Sequence, residues 1–457
     1  MKTIFLCISR GLVCRNILRT GVLEQLLAHE DLRVVLFLPK HRDGIPQHLR
    51  EEFAHPRVTI EEIEEMQYGI FARKIWIPLV DNFVYTTSTD LLAKIGSAKV
   101  KPVAQWWYPI HRRLFAMLSR PTWLKRVARK MERWLFHVHV FDNIFQKYQP
   151  SAVFVGAYLS KADVGMLKAA QQRGIPTCGM QKGWDNLERV LIRTVPDVFL
   201  CQNKLMQETA ARIQAIPQTT SRVIGFPQFD VYHDTSKLMT REELYQYFGI
   251  PLDHHFILFG SEGLWTPNDD RIIDALLDMR AKGEMPFPFT VVARPHFSDV
   301  HKKRYDRFRG REGVVVDDTY RWGSYFPDTW DPTREDLRRF ASELLHASAM
   351  LCIASTLALD MACFDRPVIG IAFDGYIEPN GNDATARLYT MSHYQPVAQS
   401  GGVDLVHSRE ELRQALLRAV EHPEVRAEGR ARLRETMCGP LDGRSAERVA
   451  DVILSLS

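Results

Sequence analysis

Continuous apolar runs alternate with helix-patterned segments along most of the 457-residue chain. Ten such runs predict strands, at 2–9, 33–39, 151–157, 177–181, 197–202, 255–261, 289–294, 313–317, 349–354 and 367–373. Among the segments with helical spacing, 15–28 lies between the first two runs, 161–173 follows the run 151–157 (SAVFVGA), and 269–282 follows the run 255–261 (HFILFGS). Strands that are apolar on both faces are typical of parallel sheets covered by helices on both sides. The sequence therefore predicts an α/β protein with two doubly wound, Rossmann-like halves.

Turn-forming residues cluster between 225 and 253, and the last segment, 445–456 (SAERVADVILSL), has helical periodicity. Two doubly wound halves followed by one helix resemble the GT-B enzymes, whose last helix crosses back onto the N-terminal domain. We therefore expect an acceptor domain over 1–235, a nucleotide-donor domain over 236–440 and a crossing helix over 441–457. Ligands of open parallel sheets bind beyond the carboxyl ends of strands, so the expected site is the cleft between the facing domains.

Composition narrows the class of protein. The seven cysteines are scattered without a C-x-x-C pair, which fits a reducing cytosol better than a disulfide framework. The apolar run at residues 4–8 is shorter than the roughly 7–15 residues of a signal peptide, and no run reaches the roughly 20 of a membrane span. The net charge of +4 does not by itself indicate nucleic-acid binding.

A buried strand pattern over 290–296 (TVVARPH) runs directly into Arg294, Pro295 and His296. Proline fixes its own φ and restricts the residue before it, so the flanking side chains hold defined directions at the sheet edge. The forked guanidinium of Arg294 suits two diphosphate oxygens, and His296 can donate to a phosphate or protonate a leaving group. The alternative is an ordinary loop histidine beside a surface arginine.

A neighbouring strand pattern ends at Ser355 and Thr356, where a helix pattern begins. Ser and Thr cap helices well, and the free N–H groups and dipole at a helix start attract anions. Asp360 follows Thr356 by four residues on the same helix face, where a carboxylate can accept bonds from ribose hydroxyls. An ordinary capped helix would look the same, but together the two strand ends predict a donor phosphate site.

Two loops supply further candidates. Gly260 and Ser261 begin the turn GSEG after a strand, where glycine allows a backbone to approach phosphate, although a tight strand-to-helix turn explains it equally well. The loop 181–187 (QKGWDNL) holds Trp184, Asp185 and Asn186, with Asp185 as a candidate general base across the cleft. The alternative there is an Asx-turn that bonds its own backbone.

The loop QKGWDNL and the run RVIGFPQFD (222–230) resemble segments of GT-B transferases that build bacterial surface polysaccharides. The ARPH strand end and the Ser-Thr helix start resemble motifs of CDP-glycerol glycerophosphotransferases and capsule sialyltransferases. The closing DGRSAERVADVI (442–453) is similar to the ending of the glycerophosphotransferases. The resemblance covers roughly residues 150–455, and residues 40–150 match no family.

This resemblance implies inverting, metal-independent transfer from a nucleotide-activated donor, with His296, Ser355 and Thr356 on the donor phosphates. The order Arg-Pro-His departs from the usual His-Pro, which bears on an acid role for His296 more than on a phosphate role. No D-x-D flanked by strand residues is present, and adjacent Asp pairs do not face one ligand along a strand. We therefore expect no metal and no cofactor.

Residues 104–139 carry eight Lys or Arg against the single acid Glu132, and four of the nine tryptophans. Basic residues interleaved with Trp, Phe and Leu are typical of helices that lie on an anionic membrane surface. The alternative is a basic helical pair packed on the N-terminal domain with its tryptophans in the core. No nucleic-acid motif accompanies the segment, so no nucleic-acid partner is expected.

The sequence thus predicts a glycosyltransferase of surface polysaccharide synthesis, such as capsule or lipopolysaccharide, with Asp185 and His296 as catalytic residues. We expect a nucleotide-sugar donor, a glycan or lipid-linked acceptor, and a cytoplasmic location, peripheral on an anionic membrane through 104–139. The open alternatives are a CDP-glycerol-type glycerophosphotransferase, a UDP-sugar 2-epimerase and a non-catalytic GT-B scaffold. The epimerase would need several carboxylates converging at the cleft, and the sequence shows no compact acidic set.

Overall fold

The computed structural model describes residues 1–96, 101–263, 266, 268–297, 299, 302–319, 325–374 and 385–457. Over these residues the chain forms two parallel sheets, of seven and six strands, which confirms the predicted fold of two Rossmann-like domains. The first sheet has the order β3-β2-β1-β4-β5-β6-β7 and the second β10-β9-β8-β11-β12-β13. The strands are β1 (Lys2–Cys7), β2 (Leu32–Pro39), β3 (Val58–Ile63), β4 (Ala152–Val155), β5 (Thr177–Met180), β6 (Val198–Cys201), β7 (Ser221–Val223), β8 (His255–Gly260), β9 (Phe289–Arg294), β10 (Val314–Val316), β11 (Ala349–Cys352), β12 (Val368–Ile371) and β13 (Val403–Val406).

Helices cover the faces of both sheets. Those before the second sheet are α1 (Gly11–Val13), α2 (Val22–Leu27), α3 (Gln47–Glu52), α4 (Ile77–Asp81), α5 (Thr87–Ile95), α6 (Tyr108–Leu118), α7 (Thr122–Leu135), α8 (Asp142–Tyr148), α9 (Lys161–Gln172) and α10 (Lys204–Gln214). The later ones are α11 (Arg241–Phe248), α12 (Asp270–Ala281), α13 (Arg334–His346), α14 (Leu357–Cys363), α15 (Gln395–Ala398), α16 (Arg409–Glu421), α17 (Ala427–Thr436) and α18 (Ser445–Leu456). No helix among the described residues is long and apolar enough to cross a bilayer.

Both sheets reverse their direction of winding beside their first strand. β1 lies between β2 and β4, and β8 lies between β9 and β11. A crevice forms at the carboxyl ends of the strands where the order reverses, because the connections leave toward opposite faces. The loops after β1, β8 and β11 therefore open into the space between the two domains.

All ten strands predicted from the apolar runs are present, and β3, β7 and β13 are additional. β3 (VTIEEI) is half-buried over five of its six residues, so it lacks the continuous apolar run that marks the central strands. The helix predicted over 15–28 is interrupted. A π-helical turn covers Cys14–Leu18, and Gly21, at φ +100°, separates it from α2.

The last helix, α18, packs against α2 and shares an apolar core with the first sheet. Its first backbone N–H groups, at Ser445 and Ala446, donate to the Asp230 carboxylate at 3.0 and 2.8 Å. Gly225 has φ +87°, and a Cβ there would lie 2.3 Å from Ser445 Oγ. Two of the sequence runs that carry the family resemblance, 222–230 and 442–453, thus meet here, as a cap that fixes the C-terminal helix on the N-terminal domain.

A second contact joins the domains beside the cleft. The Asp328 carboxylate accepts bonds from the backbone N–H groups of Gly11, at 2.8 Å, and Leu12, at 3.2 Å. Glycine is required at position 11 because a Cβ would lie 1.5 Å from the Trp330 carbonyl oxygen. The C-terminal domain therefore rests directly on the turn that follows β1.

Candidate active site

A cavity of about 160 Å³ lies between the two domains at the carboxyl ends of the strands. Both domains contribute to it. The described residues that line it are Trp184, Asp185, Arg189, Glu262, His296, Ala354, Ser355, Thr356, Leu388, Met391 and His393. It brings together five residues predicted from sequence, namely Trp184, Asp185, His296, Ser355 and Thr356.

Ser355 and Thr356 form the turn between β11 and α14. The residue before them, Ala354, has φ +39°, a left-handed conformation that side chains other than glycine rarely adopt. At this bend the chain turns from the end of β11 into α14, and Ser355 and Thr356 line the cavity. Ser355 Oγ accepts from the N–H of Leu357 at 3.4 Å, and Thr356 makes no side-chain cap bond. Hydroxyls and N–H groups at this turn suit an anionic ligand.

His296 follows β9 and is held by rings on one side and backbone on the other. Its ring stacks on Phe297 at 4.3 Å between centroids, and Phe297 stacks on Trp330 at 4.9 Å. Gly263, at φ +72°, approaches so closely that a Cβ there would lie 2.9 Å from His296 Cβ. The imidazole therefore has a fixed place on the C-terminal wall of the cavity.

Asp185 lies in the 3₁₀ turn Trp184–Glu188 on the N-terminal wall. Its carboxylate pairs with Arg189, one turn further on, at 2.5 Å. Burial alone would raise the pKa of Asp185, but Arg189, His393 and Lys182 outweigh it and hold that pKa below its usual value. Asp185 is therefore ionised at neutral pH, while its ion pair makes it a weak base.

His393 reaches the same cavity from the C-terminal domain and packs edge-on against the Trp184 ring, 5.6 Å between centroids. Its Nδ1 lies 3.0 Å from the hydroxyl of Ser88 on α5. Burial lowers the pKa of His393, with the charge of Asp185 opposing and that of Arg189 adding. A neutral imidazole therefore faces the cavity alongside an ionised carboxylate.

Glu262 follows β8, and its pKa is shifted in the opposite direction to that of Asp185. Burial, reinforced by the charge of Asp269, raises its pKa well above the usual value, and Arg189 opposes this only in part. A carboxyl group that stays protonated can donate a hydrogen bond or a proton to a ligand oxygen. The cavity thus presents an acid, a neutral base and an ionised carboxylate within one small volume.

Arg294, predicted to bind a diphosphate, is not among the described residues that line this cavity. Its guanidinium forms ion pairs with Asp317 and with Glu343, the latter at 2.8 Å, and lies 4.5 Å from the Phe340 ring. The arginine at the end of β9 is therefore tied into a buried charge network of the C-terminal domain. His296, two residues further on, reaches the cavity instead.

Gly260 and Ser261 also serve the packing of the domain. A Cβ at Gly260 would lie 2.2 Å from Leu357 Cδ1, so glycine allows α14 to approach the sheet. Ser261 is buried, donates to Asp269 Oδ2 at 2.9 Å and accepts from the Gly263 N–H at 3.1 Å. The tight-turn alternative describes both residues, and Glu262 between the two glycines is the one that lines the cavity.

Asp360 and Asn186 lie near the cleft with partners of their own. The Asp360 carboxylate accepts from the Tyr232 hydroxyl at 2.6 Å, and burial raises its pKa. Asn186 Nδ2 donates to Asp185 Oδ1 at 3.5 Å. The Asp360 carboxylate is therefore bonded to Tyr232, in the segment that joins the domains. Asn186 contributes to the site only through its hydrogen bond to Asp185.

Sequence reasoning missed Arg189, Glu262 and His393 as site residues. Arg189 follows Asp185 by four residues, a spacing that could have identified it, and Glu262 was treated only as part of a glycine turn. His393 lies in a stretch without a strand or helix pattern, so only the fold brings it to the cleft. Among the described residues, no group of three or more His, Cys, Asp or Glu side chains is arranged to hold a metal ion.

The model of the family CDP-Glycerol:Poly(glycerophosphate) glycerophosphotransferase matches residues 171–455, which include every described residue that lines the cavity. The chain belongs to this family. The family resemblance indicated by the segments 181–187, 222–230 and 442–453 is thereby confirmed. None of the curated proteins matches the chain. Membership of this family identifies the chain as a transferase.

Solved structures share the fold of this family member at low sequence identity. The S. aureus MnaA–UDP co-structure has 12% identity and a TM-score of 0.55, over 100% of this chain and 98% of that one. UDP-GlcNAc 2-epimerase from Neisseria meningitidis, bound to UDP-GlcNAc, has 13% identity and a TM-score of 0.56, over 100% of both chains. The wall teichoic acid polymerase TagF with CDPG has 12% identity and a TM-score of 0.53, over 99% of this chain and 88% of that one. These likenesses establish the GT-B fold.

Proposed function

We propose that the chain transfers a polyol phosphate from a nucleoside diphosphate-linked donor, such as CDP-glycerol, to a hydroxyl group of a growing surface polymer. The observation that supports this is the shared cavity, in which hydroxyl and imidazole groups of the C-terminal wall oppose Asp185 of the N-terminal wall. The family match favours a polyol phosphate as the transferred group. The proposal assigns the donor to the C-terminal domain and the acceptor to the N-terminal one.

The donor phosphates bind Ser355, Thr356 and His296 in this proposal. Hydrogen bonds to charged groups contribute about 1.5–3 kcal/mol each, so a few of them would fix a diphosphate. Glu262, protonated because its burial raises its pKa, donates to a further phosphate oxygen without adding negative charge. No metal ion is required to neutralise the leaving group if these donors and His296 surround it.

The transfer step uses the two groups that meet across the cleft. The acceptor hydroxyl oxygen attacks the phosphorus bonded to the polyol, and His393 Nε2 takes the hydroxyl proton. The P–O bond to the nucleoside monophosphate breaks, and its electron pair leaves on the phosphate oxygen of that nucleoside monophosphate. His393 suits the role because its lowered pKa keeps it neutral at pH 7. The Asp185 carboxylate stabilises the imidazolium that forms, so its ion pair with Arg189 is consistent with an electrostatic role rather than that of the base.

Glycosyl transfer is the second candidate, supported by the full-length likeness to a structure bound to UDP-GlcNAc. The same residues would act, with attack on the anomeric carbon and release of a nucleoside diphosphate. In that case the configuration at the anomeric carbon would invert, since attack comes from the N-terminal wall opposite the leaving group. Capsule or lipopolysaccharide would be the destination of the product.

A donor screen tests the proposal directly. CDP-glycerol, CDP-ribitol and a set of UDP- and CMP-sugars are added to the full chain, and thermal stabilisation and nucleotide release are measured with and without EDTA. Stabilisation by a CDP-polyol with release of CMP supports polyol-phosphate transfer, whereas stabilisation by a sugar nucleotide with release of its nucleoside phosphate supports glycosyl transfer. No stabilisation by any nucleotide would contradict both, and loss of activity in EDTA would contradict the metal-free mechanism.

We also propose that α7 docks on an anionic membrane, and its side-chain pattern supports this. Helices of a globular protein normally turn their apolar face inward. In α7 the inward residues are Lys125, Ala128 and Glu132, while Trp123 and Trp134 are 62% and 74% exposed. Buried tryptophans, the alternative left open by the sequence, are therefore wrong for these two residues, and Trp106 is exposed as well.

The apolar face of α7 is bordered by exposed basic residues. Val127 and Met131 lie between the two tryptophans at helical spacing, and Arg126, Lys130 and Arg133 lie along one edge. Apolar side chains bordered by cations match a headgroup layer with negative charge, each cation near the surface contributing about 1 kcal/mol. Such docking would present the cleft to an acceptor anchored in the same membrane.

A further inference from the structure

A second cavity, of about 180 Å³, lies where α7, α9 and the loop after Asp185 meet. It is separate from the active-site cavity, because the two share no lining residue among those described. Its lining consists of Arg129, Lys130, Arg133, Phe136, Lys168, Gln171, Gln172, Arg193, Thr194 and Val195.

Positive charge exceeds negative charge around this cavity. Five lining side chains are cationic, and none of the described lining residues is acidic. The buried Glu132 beside it accepts from Lys168 at 2.6 Å and from Arg193 at 3.3 Å. Within the described part of the chain, these ion pairs leave Arg129, Lys130 and Arg133 without a carboxylate partner.

Arg129 is held in place by neutral groups. Its guanidinium donates to the backbone carbonyls of Ile192, at 2.9 Å, and Gln214, at 2.6 Å. Burial, with the charge of Arg126 adding, lowers the pKa of Arg129 to about 10. A positive charge that is fixed in a partly buried place without a counter-charge is stabilised when an anion binds beside it.

Thr194 indicates that the cavity is built for a ligand. Its side chain is 7% exposed, lines the cavity, and its Oγ1 makes no hydrogen bond within the protein. Buried hydroxyls are normally hydrogen-bonded, because leaving one without a partner costs about 1–3 kcal/mol. An anion oxygen in the cavity would accept from this hydroxyl while its charge is neutralised by the surrounding cations.

The position of the cavity on α7 relates it to the membrane-docking face. Successive residues advance about 100° around an α-helix. Starting from the exposed Trp134 and moving toward the buried Glu132, Lys130, Arg133 and Arg129 follow in that order. The cavity therefore lies on the flank of α7, between its apolar exposed face and its buried face.

We propose that this cavity binds the phosphate group of an anionic phospholipid when α7 lies on the membrane, with Thr194 and Arg133 contacting the phosphate oxygens. The inference rests on the proposed membrane docking of α7. It adds a single specific headgroup site to a surface that would otherwise attract negative charge without selectivity. A headgroup held there would fix the rotation of α7 about its axis, and with it the orientation of the cleft above the membrane.

The test compares Thr194→Val with the wild-type chain. The substitution keeps charge and approximate shape and removes an unpaired buried hydroxyl, so the variant is expected to fold. Binding is measured to vesicles of phosphatidylcholine mixed with phosphatidylglycerol, and to phosphatidylcholine mixed with oleate at the same surface charge. We expect wild type to prefer the phosphatidylglycerol vesicles about tenfold, and Thr194→Val to lose most of that preference while binding the oleate vesicles unchanged. Equal preference in the two proteins would overturn the proposal.

Two single-charge variants of α7 provide a matched pair. Arg133→Gln removes a cation that lines the cavity, and Arg126→Gln removes an exposed cation of the same helix outside it. Each should weaken binding to both kinds of anionic vesicle by roughly fivefold, the effect of one surface charge. Only Arg133→Gln should also reduce the preference for phosphatidylglycerol. Identical profiles for the two variants would contradict the site.

Inorganic phosphate and glycerol phosphate distinguish a lipid from a soluble ligand. If either raises the melting temperature of the wild type but not of Thr194→Val, and wild type shows no phosphatidylglycerol preference, the site takes a soluble phosphate and the lipid proposal is wrong. If wild type binds no vesicles and neither phosphate stabilises it, both the docking and the headgroup site fail. Vesicle binding without phosphate selectivity leaves the docking standing and overturns the headgroup site alone.

Discussion

Asp185 of the N-terminal domain and His393 of the C-terminal domain line one cavity, and the charge of each acts on the pKa of the other. Neither domain alone holds the pair. A reaction that needs both groups therefore proceeds only when the domains are in the relation described here, and the pair is the first target for experiment.

Substitution of His393 by Gln should lower kcat by about 10²–10⁴-fold, the usual contribution of a general base. Donor affinity should stay within about twofold, because the base contacts the acceptor and not the donor phosphates. Rapid-quench turnover and calorimetric donor titration measure the two quantities. Unchanged kcat would exclude His393 as the base.

The pH dependence of kcat provides an independent check. Since burial lowers the pKa of His393, the imidazole stays unprotonated further into the acid range than an ordinary histidine, and the acid limb of the wild-type profile should fall below pH 6.5. In Asp185→Asn the charge that raises this pKa is lost, so the acid limb should move to still lower pH while kcat falls. An acid limb that moves upward would reverse the proposed coupling.

Substitution of Ser355 or Thr356 by Ala should weaken donor binding by about 10–100-fold, as expected for hydrogen bonds to charged phosphate oxygens. Ser261→Ala is the matched control, because Ser261 is also a buried serine of the same domain but bonds Asp269 instead of lining the cavity. It should lower the melting temperature and leave donor affinity unchanged. If the control weakened donor binding as much as Ser355→Ala, the assignment of the phosphate site to this turn would be wrong.

Arg294→Met should destabilise the fold by about 3–5 kcal/mol, because it removes the nearer cation of the buried Asp317 and Glu343 and leaves them, among the described residues, only Arg339, at 3.9 Å from each. Adding Glu343→Met should recover much of the loss, since apolar replacement of a whole buried pair is often tolerated. Chemical denaturation measures both effects. A large loss of donor affinity with little loss of stability would instead restore the diphosphate role that the sequence predicts for Arg294.

The docking face of α7 can be tested with Trp123→Ser and Trp134→Ser together. Both side chains are largely exposed, so the folded state should keep its stability, whereas flotation with anionic vesicles should be lost. The transferase activity on a soluble acceptor should be unchanged. Retained flotation would show that another surface makes the contact.

The fold was predictable because its strands are buried on both faces and therefore read as continuous apolar runs. Partial exposure concealed β3, and shortness concealed β7. The run 222–230 identifies the family, but its sequence does not show what Gly225 and Asp230 do. The structure shows that both contact the start of α18, where Asp230 caps the helix and Gly225 lies against Ser445.

The candidate site was predictable where a side chain directly follows a strand and the backbone leaves it no choice of direction. His296, Ser355 and Thr356 are of this kind. Arg294 differs because the partner of an arginine at a sheet edge depends on which carboxylates the tertiary structure places nearby. Here those carboxylates are Asp317 and Glu343. His393 and the inward charges of α7 depend on contacts between distant segments, which no local pattern encodes.

The bonds from Gly11 and Leu12 to Asp328 have a kinetic consequence. Any motion that separates the domains at this point must break both bonds at once, so together they oppose opening of the cleft. If nucleotide release requires that motion, Asp328→Ala should exchange its nucleotide product faster even though its reacting groups are untouched, and the ceiling on its turnover would then be set by the chemical step.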